Sequence, residues 1–158
     1  RIIASSAMIA AVYVAITGIF APISFGFIQI RVSEALVAFA LFTPAAIPGL
    51  TAGCLISNIL WSPFGILDVI FGTVATFVGV FLTYMMRKNN RIFALTPPVI
   101  SNALFVPVVL AIVDKQSYFT ALLTVALSQA IACYGIGYSL SVIGQRIFKE
   151  KESKPSMR

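Results

Sequence analysis

The sequence has no histidine and only two cysteines, Cys54 and Cys133, each alone in an apolar segment. No CxxC pair exists, and structural zinc and haem sites draw on such residues. No metal and no cofactor is therefore expected, and the two thiols read as packed side chains. Charge is equally scarce. Charged residues make up 10% of the chain and only 5 residues are acidic, whereas soluble proteins carry about 25% charged residues. The longest polar stretch is Lys149–Arg158, which leaves no room for a large soluble domain. There is no G-x-x-x-x-G-K-[ST], so no ATP is bound through a P-loop. There is also no HExxH, no GxSxG and no credible triad, so the chain is not expected to be an enzyme.

What the sequence does contain is apolar. Hydrophobic residues are 59% of the 158, the mean hydropathy is +1.00, and several runs approach the ~20 residues a membrane helix needs. One membrane domain is expected over 1–148, followed by a basic cytoplasmic tail over 149–158. The sequence opens at Arg1 rather than at methionine, so a preceding segment is expected. The first apolar run could pass for a signal sequence, but further spans follow, and it reads as a retained helix.

The fold class expected is all-α, a bundle of six transmembrane helices. The helices are placed at roughly Ile2–Ala21, Arg31–Thr43, Pro48–Leu60, Leu67–Met86, Pro97–Val113 and Ser117–Phe148. The second and third are short for a span. One kinked helix through Pro44 and Pro48 would give five, but Thr43-Pro-Ala-Ala-Ile-Pro-Gly49 reads better as a turn. The last helix is longer than a bilayer requires, so it tilts, projects, or bends at Gly135 and Gly137. With six spans, one side collects Arg1, Arg87, Lys88, Arg91, Arg146, Lys149, Lys151, Lys154 and Arg158. The other has only Arg31 and Lys115, with Glu34, Asp68 and Asp114. The positive-inside rule then places both termini in the cytoplasm of a multi-pass protein of the cell membrane. The net charge of +6 is mostly topology, with some attraction to anionic lipid. No nucleic-acid partner is expected, because no basic stripe lies outside the membrane ends.

Against this background the polar residues stand out. Glu34 follows Arg31 by three residues and runs directly into Ala35-Leu-Val-Ala-Phe-Ala-Leu-Phe42. A carboxylate deep in a span costs roughly 2.5–3.5 kcal/mol, so it needs a partner: Arg31 one turn away, or a ligand. Asp68 begins the fourth helix, where N-capping would explain it. Gln29, Asn58 and Asn102 lie on the same side, with Phe25, Phe27, Trp61 and Phe64 around them. Trp61 fits an interfacial anchor, although aromatic rings also stack on flat heterocycles. Together these groups point to a binding pocket. On the first helix Ala7, Ala11 and Ala15 recur every four residues and form a small-residue face, which suits either close packing inside the bundle or docking of another membrane subunit. For Gly49-Leu-Thr-Ala-Gly53 an internal contact is expected.

Several stretches resemble the QueT family: Ala21-Pro-Ile-Ser-Phe-Gly, Gln29-Ile-Arg-Val-Ser-Glu-Ala-Leu36, Ala46-Ile-Pro-Gly-Leu50, Gly53-Cys-Leu-Ile-Ser-Asn58, Ser62-Pro-Phe-Gly-Ile-Leu-Asp68, Phe71-Gly-Thr-Val-Ala-Thr76 and Pro97-Pro-Val-Ile-Ser-Asn-Ala103. The resemblance covers most of the chain. It implies the substrate-binding S-component of an energy-coupling factor (ECF) importer for queuosine precursors. Such a subunit has six helices and an extracellular pocket capped by the first loop. Its partners are a transmembrane coupling subunit, met by Ala7, Ala11 and Ala15, and two ATPase subunits. A 7-deazaguanine base then assigns roles. Glu34, or second to it Asp68, accepts N1–H and the exocyclic amine. Gln29, Asn102 or Asn58 donates to the carbonyl edge, Phe25, Phe27 or Trp61 stacks on the ring, and Arg31 orients Glu34. The alternative is a stand-alone secondary transporter or channel for a small solute that uses Glu34 and Asp68.

Overall fold

The computed structural model describes residues 2–25 and 29–153. Every regular element among them is helical. In chain order these are α1 (Ile2–Ile19), α2 (Ala21–Ser24), a 3₁₀ helix (Val32–Leu41), α3 (Ala46–Trp61), α4 (Gly65–Met85), α5 (Arg91–Ala94), α6 (Thr96–Val113), α7 (Tyr118–Ala130), a wide π-type stretch (Ile131–Gly137) and α8 (Tyr138–Ser153). Four apolar helical stretches are long enough to cross a membrane: Ile2–Ile19, Gly65–Met85, Arg91–Val113 and Tyr118–Arg146. The 10-residue 3₁₀ helix and the 16-residue α3 are shorter. At ~2.0 Å and ~1.5 Å per residue they reach roughly 20 and 24 Å, short of a ~30 Å hydrocarbon core.

The segment Val32–Leu41, expected as an ordinary helix, is wound more tightly. A 3₁₀ run of this length is uncommon, because its side chains eclipse every third residue and its hydrogen bonds are poorer. Here it is a thin central post. Seven of its ten residues are buried, including Glu34, Ala35, Leu36, Val37 and Ala38. It packs against α1, α3, α4, α8 and the π-type stretch. Its small alanines suit a post enclosed on so many sides. The turn at Thr43–Ala45 separates it from α3, as the prolines predict.

α3 lies along α1 through the two glycines expected to make an internal contact. A Cβ at Gly49 would sit 2.8 Å from the Ser6 carbonyl oxygen, and one at Gly53 2.7 Å from Tyr13 Cβ. Ala7, Ala11 and Ala15 are on the exposed part of α1, whereas Ala10, Tyr13 and Thr17 are buried. The last long helix does change pitch near Gly135 and Gly137. The π-type stretch is where it meets the 3₁₀ post, consistent with the use of such turns to re-aim a helix. α8 continues to Ser153, into the stretch expected to be a tail. At one end of the bundle Arg91 donates to the Gln145 side chain, which brings the basic connection between α4 and α5 beside α8.

Candidate functional site

The six polar residues expected to line a pocket are all buried at the heart of this bundle. Gln29, Arg31, Glu34, Asn58, Asp68 and Asn102 are all at most 3% exposed. Four segments carry the first five: the connection after α2, the 3₁₀ post, α3 and α4. Trp61 is 37% exposed and stands on the flank of the bundle, with its ring over Gly18 of α1. Phe27 lies outside the described residues.

Asp68 occupies a saturated nest. Arg31 Nη2 donates to both of its carboxylate oxygens at 3.1 Å, and the Ser62 hydroxyl donates to Oδ2 at 2.6 Å. Asn58 Nδ2 donates to the Asp68 backbone carbonyl at 3.1 Å, tying α3 to α4. The Phe25 ring covers the other side of the guanidinium, with the Arg31 Cζ 5.3 Å from the ring centroid, a cation–π arrangement. Gly72 makes room for the nest, since a Cβ there would lie 2.7 Å from Asn58 Nδ2 and 3.2 Å from Arg31 Nη1.

Two expectations are corrected here. Arg31 does not pair with or orient Glu34. Its carboxylate partner is Asp68, 37 residues away, because the guanidinium leaves the post toward α4 rather than running along it. Nor does Asp68 cap its helix: α4 has no side-chain cap hydrogen bond, and the Asp68 oxygens are turned to Arg31 and Ser62.

Glu34 is held differently. Tyr13 donates its hydroxyl to Oε1 at 2.7 Å, and Thr76 Oγ1 donates to the same oxygen at 2.9 Å. Oε2 is buried with no hydrogen-bond partner among the described residues. The carboxylate is thus fixed through one oxygen while the other stays unused. Beside it, Ser33 accepts from Thr17 at 2.8 Å, which pins the post to α1. Cys54 joins the two carboxylate environments. Its sulfur is 3.3 Å from Thr76 Oγ1, 3.5 Å from Asn58 Nδ2 and 3.9 Å from Arg31 Nη1. The thiol that reads as plain packing in the sequence therefore sits at the crossing of the polar network.

Gln29 shows the same unused capacity. Its backbone has φ +48°, a left-handed conformation uncommon outside glycine. Its carbonyl accepts from Ser128 of α7 at 3.2 Å, but its side-chain Oε1 and Nε2 are both buried without a partner. On α6, Asn102 Nδ2 donates to the Pro98 carbonyl at 3.0 Å, while its Oδ1 has no partner. Arg31 Nε and Ser57 Oγ are likewise unpaired. Each buried polar group without a partner costs about 1–3 kcal/mol. Several such atoms among the buried residues are therefore a reason to look for a polar ligand.

Tyr13, Thr76, Cys54 and Ser62 escaped the sequence reading. Tyr13, Ser62 and Thr76 reach the carboxylates across 6 to 42 positions, and Cys54 meets Thr76 across 22, separations that no local pattern encodes. One faint signal existed for Tyr13 and Thr17: they lie a turn apart on α1, on the side turned away from Ala7, Ala11 and Ala15.

A family model described as QueT transporter matches residues 3–146. A protein of Lactococcus lactis subsp. cremoris (strain MG1363), Queuosine precursor transporter QueT, is 46% identical over 79 residues, which is 48% of this chain and 45% of that protein. The chain thus spans less than half the length of this curated relative. No solved structure matches.

Proposed function

The chain belongs to the QueT transporter family, and from that premise we propose that it is the substrate-binding S-component of an ECF-type importer. In this reading it captures a queuosine precursor, a 7-deazaguanine base, in a pocket reached from outside the cell. The observation that carries the reading is the set of buried, unpartnered polar atoms: Glu34 Oε2, both ends of the Gln29 amide, and Asn102 Oδ1. A deazaguanine edge offers complementary groups. Its N1–H and exocyclic amine suit acceptors such as Glu34 Oε2 and Asn102 Oδ1, and its carbonyl suits the Gln29 amide nitrogen. Burial makes each of these bonds selective, because an analogue lacking one leaves a protein group unsatisfied.

Within this proposal Glu34 is the primary recognition residue. Asp68, with both oxygens engaged by Arg31 and Ser62, serves as a structural anchor. Asn58 supports that anchor, and Phe25, whose ring lies against Arg31, is the stacking candidate. The bundle spans the membrane six times with both termini in the cytoplasm. Ala7, Ala11 and Ala15 form the face met by the transmembrane coupling subunit, and the energy comes from two ATPase subunits.

Two measurements test this. Purified chain is extracted and its bound small molecules identified by mass spectrometry; a deazaguanine at one-to-one stoichiometry is expected, and its absence both after purification and after soaking with the base refutes the reading. Uptake into vesicles is then compared with and without the ATP-hydrolysing partners. Transport by this chain alone, without ATP, would make it a stand-alone transporter instead.

A further inference from the structure

The α4–α6 flank carries an apolar groove of 460 Å³ that the proposed function does not use. Val78, Leu82 and Met86 form one wall and Ile100 and Leu104 the other, with Phe93 of α5 also in the lining. The groove follows from close packing. A Cβ at Gly79 would sit 2.7 Å from Pro98 Cα, so the two backbones nearly touch there, and the larger side chains flank the contact. Phe93, Ile100 and Leu104 are each more than half exposed. The volume falls within the ~300–1,000 Å³ of ligand-sized pockets, and none of the six polar candidates lines the groove.

Charge identifies the occupant. Met86 and Phe93 bracket the connection that carries Arg87, Lys88 and Arg91. No acidic residue occurs between Asp68 and Asp114, and none of the three cations pairs with a carboxylate among the described residues. Arg87 lies over the Tyr84 ring at 4.0 Å and donates to the Tyr84 carbonyl; Arg91 is held by Gln145; Lys88 is exposed. Two of the cations are therefore fixed in place without an anion among the described residues. An apolar channel with a cationic rim at one end matches an amphiphile with an anionic head.

We propose that this groove is a binding site for one anionic phospholipid, an acyl chain lying between α4 and α6 and the phosphate held by Arg87, Lys88 and Arg91. Such a lipid fixes the depth of the bundle at its basic end and covers an apolar face that none of the described residues covers. The test uses the purified chain in detergent with phosphatidylglycerol or phosphatidylcholine of identical acyl chains, bound lipid being counted by native mass spectrometry. Phosphatidylglycerol is expected to be retained preferentially, one per chain. Arg87→Gln with Lys88→Gln weakens its retention roughly five-fold per charge removed, and Arg87→Lys with Lys88→Arg preserves it. Ile100→Trp, which fills the groove, also lowers retention. Equal retention of the two lipids overturns the proposal, as does indifference to either the charge-removing or the groove-filling variant. Should Ile100→Trp not elute like the parent, Phe93→Trp in a Trp61→Phe background provides an independent reading. Stronger fluorescence quenching by brominated phosphatidylglycerol than by brominated phosphatidylcholine supports the site, and equal quenching refutes it.

Discussion

Glu34 and Asp68 are both buried carboxylates in one polar core, and Cys54 lies between their surroundings, yet they are satisfied in different ways. Asp68 faces a guanidinium, a hydroxyl and, through its backbone, an amide, so each of its carboxylate oxygens has a donor. Glu34 takes two neutral donors on one oxygen and none on the other. A filled set of partners is what an architectural residue needs. A half-filled set, repeated at Gln29 and Asn102, is what the proposed receptor role requires. Low dielectric sharpens the contrast, because a buried group gains more from a partner, and loses more without one, than a group in water.

The contrast can be broken most strongly on the Asp68 side. Arg31→Ala leaves the Asp68 carboxylate with Ser62 but without its cation and is expected to destabilise the protein by about 3–5 kcal/mol, read as a lowered thermal midpoint in detergent. Replacing both partners with apolar residues, Arg31→Met with Asp68→Leu, should recover most of that loss, as buried pairs exchanged for packed side chains often do. A double variant as unstable as the single one would mean that the pair matters for more than mutual neutralisation. Gly72→Ala pushes a methyl group against Asn58 and the guanidinium. Overpacking of this kind costs about 1–3 kcal/mol, and here it should act on stability before ligand affinity.

The Glu34 side predicts smaller changes in stability. Tyr13→Phe removes one of the two donors to Oε1 and is expected to cost about 1.5–3 kcal/mol, the range for a bond to a charged group, and to weaken ligand binding by letting the carboxylate turn. Thr76→Val keeps the shape and removes the second donor, with an effect of about 1.5 kcal/mol, the low end for a bond to a charged group. Equal binding by the parent and both variants in a calorimetric titration would show that Glu34 needs no orientation.

The sequence made much of this legible. Hydrophobic length and proline punctuation placed the helices within a few residues, and a carboxylate running into an apolar stretch marked Glu34. Gly49 and Gly53 announced an internal contact at their four-residue spacing. What the sequence hid is tertiary. The spacing of Arg31 and Glu34 suggested a local pair, but the post is wound as a 3₁₀ helix and the guanidinium leaves it for α4. The tight winding itself was hidden, since Val32–Leu41 has the composition of any apolar helix. Cys54 and Thr76 gave no signal because small polar side chains in an apolar span are commonplace. Only the fold brings these two within 3.3 Å of each other and Thr76 within reach of Glu34.

The most direct measurement is a calorimetric titration of the purified chain with a 7-deazaguanine base, comparing the parent with Glu34→Gln. The amide keeps the size of the carboxylate, and its oxygen can still accept from Tyr13 and Thr76. That arrangement places –NH₂ where Oε2 was, so an acceptor becomes a donor facing the N–H edge of the base. The account predicts one-to-one binding by the parent and at least a roughly ten-fold loss in the variant, the loss expected of a charge-assisted hydrogen bond of about 1.5–3 kcal/mol, with thermal stability little changed. Equal affinity in the two proteins would contradict it.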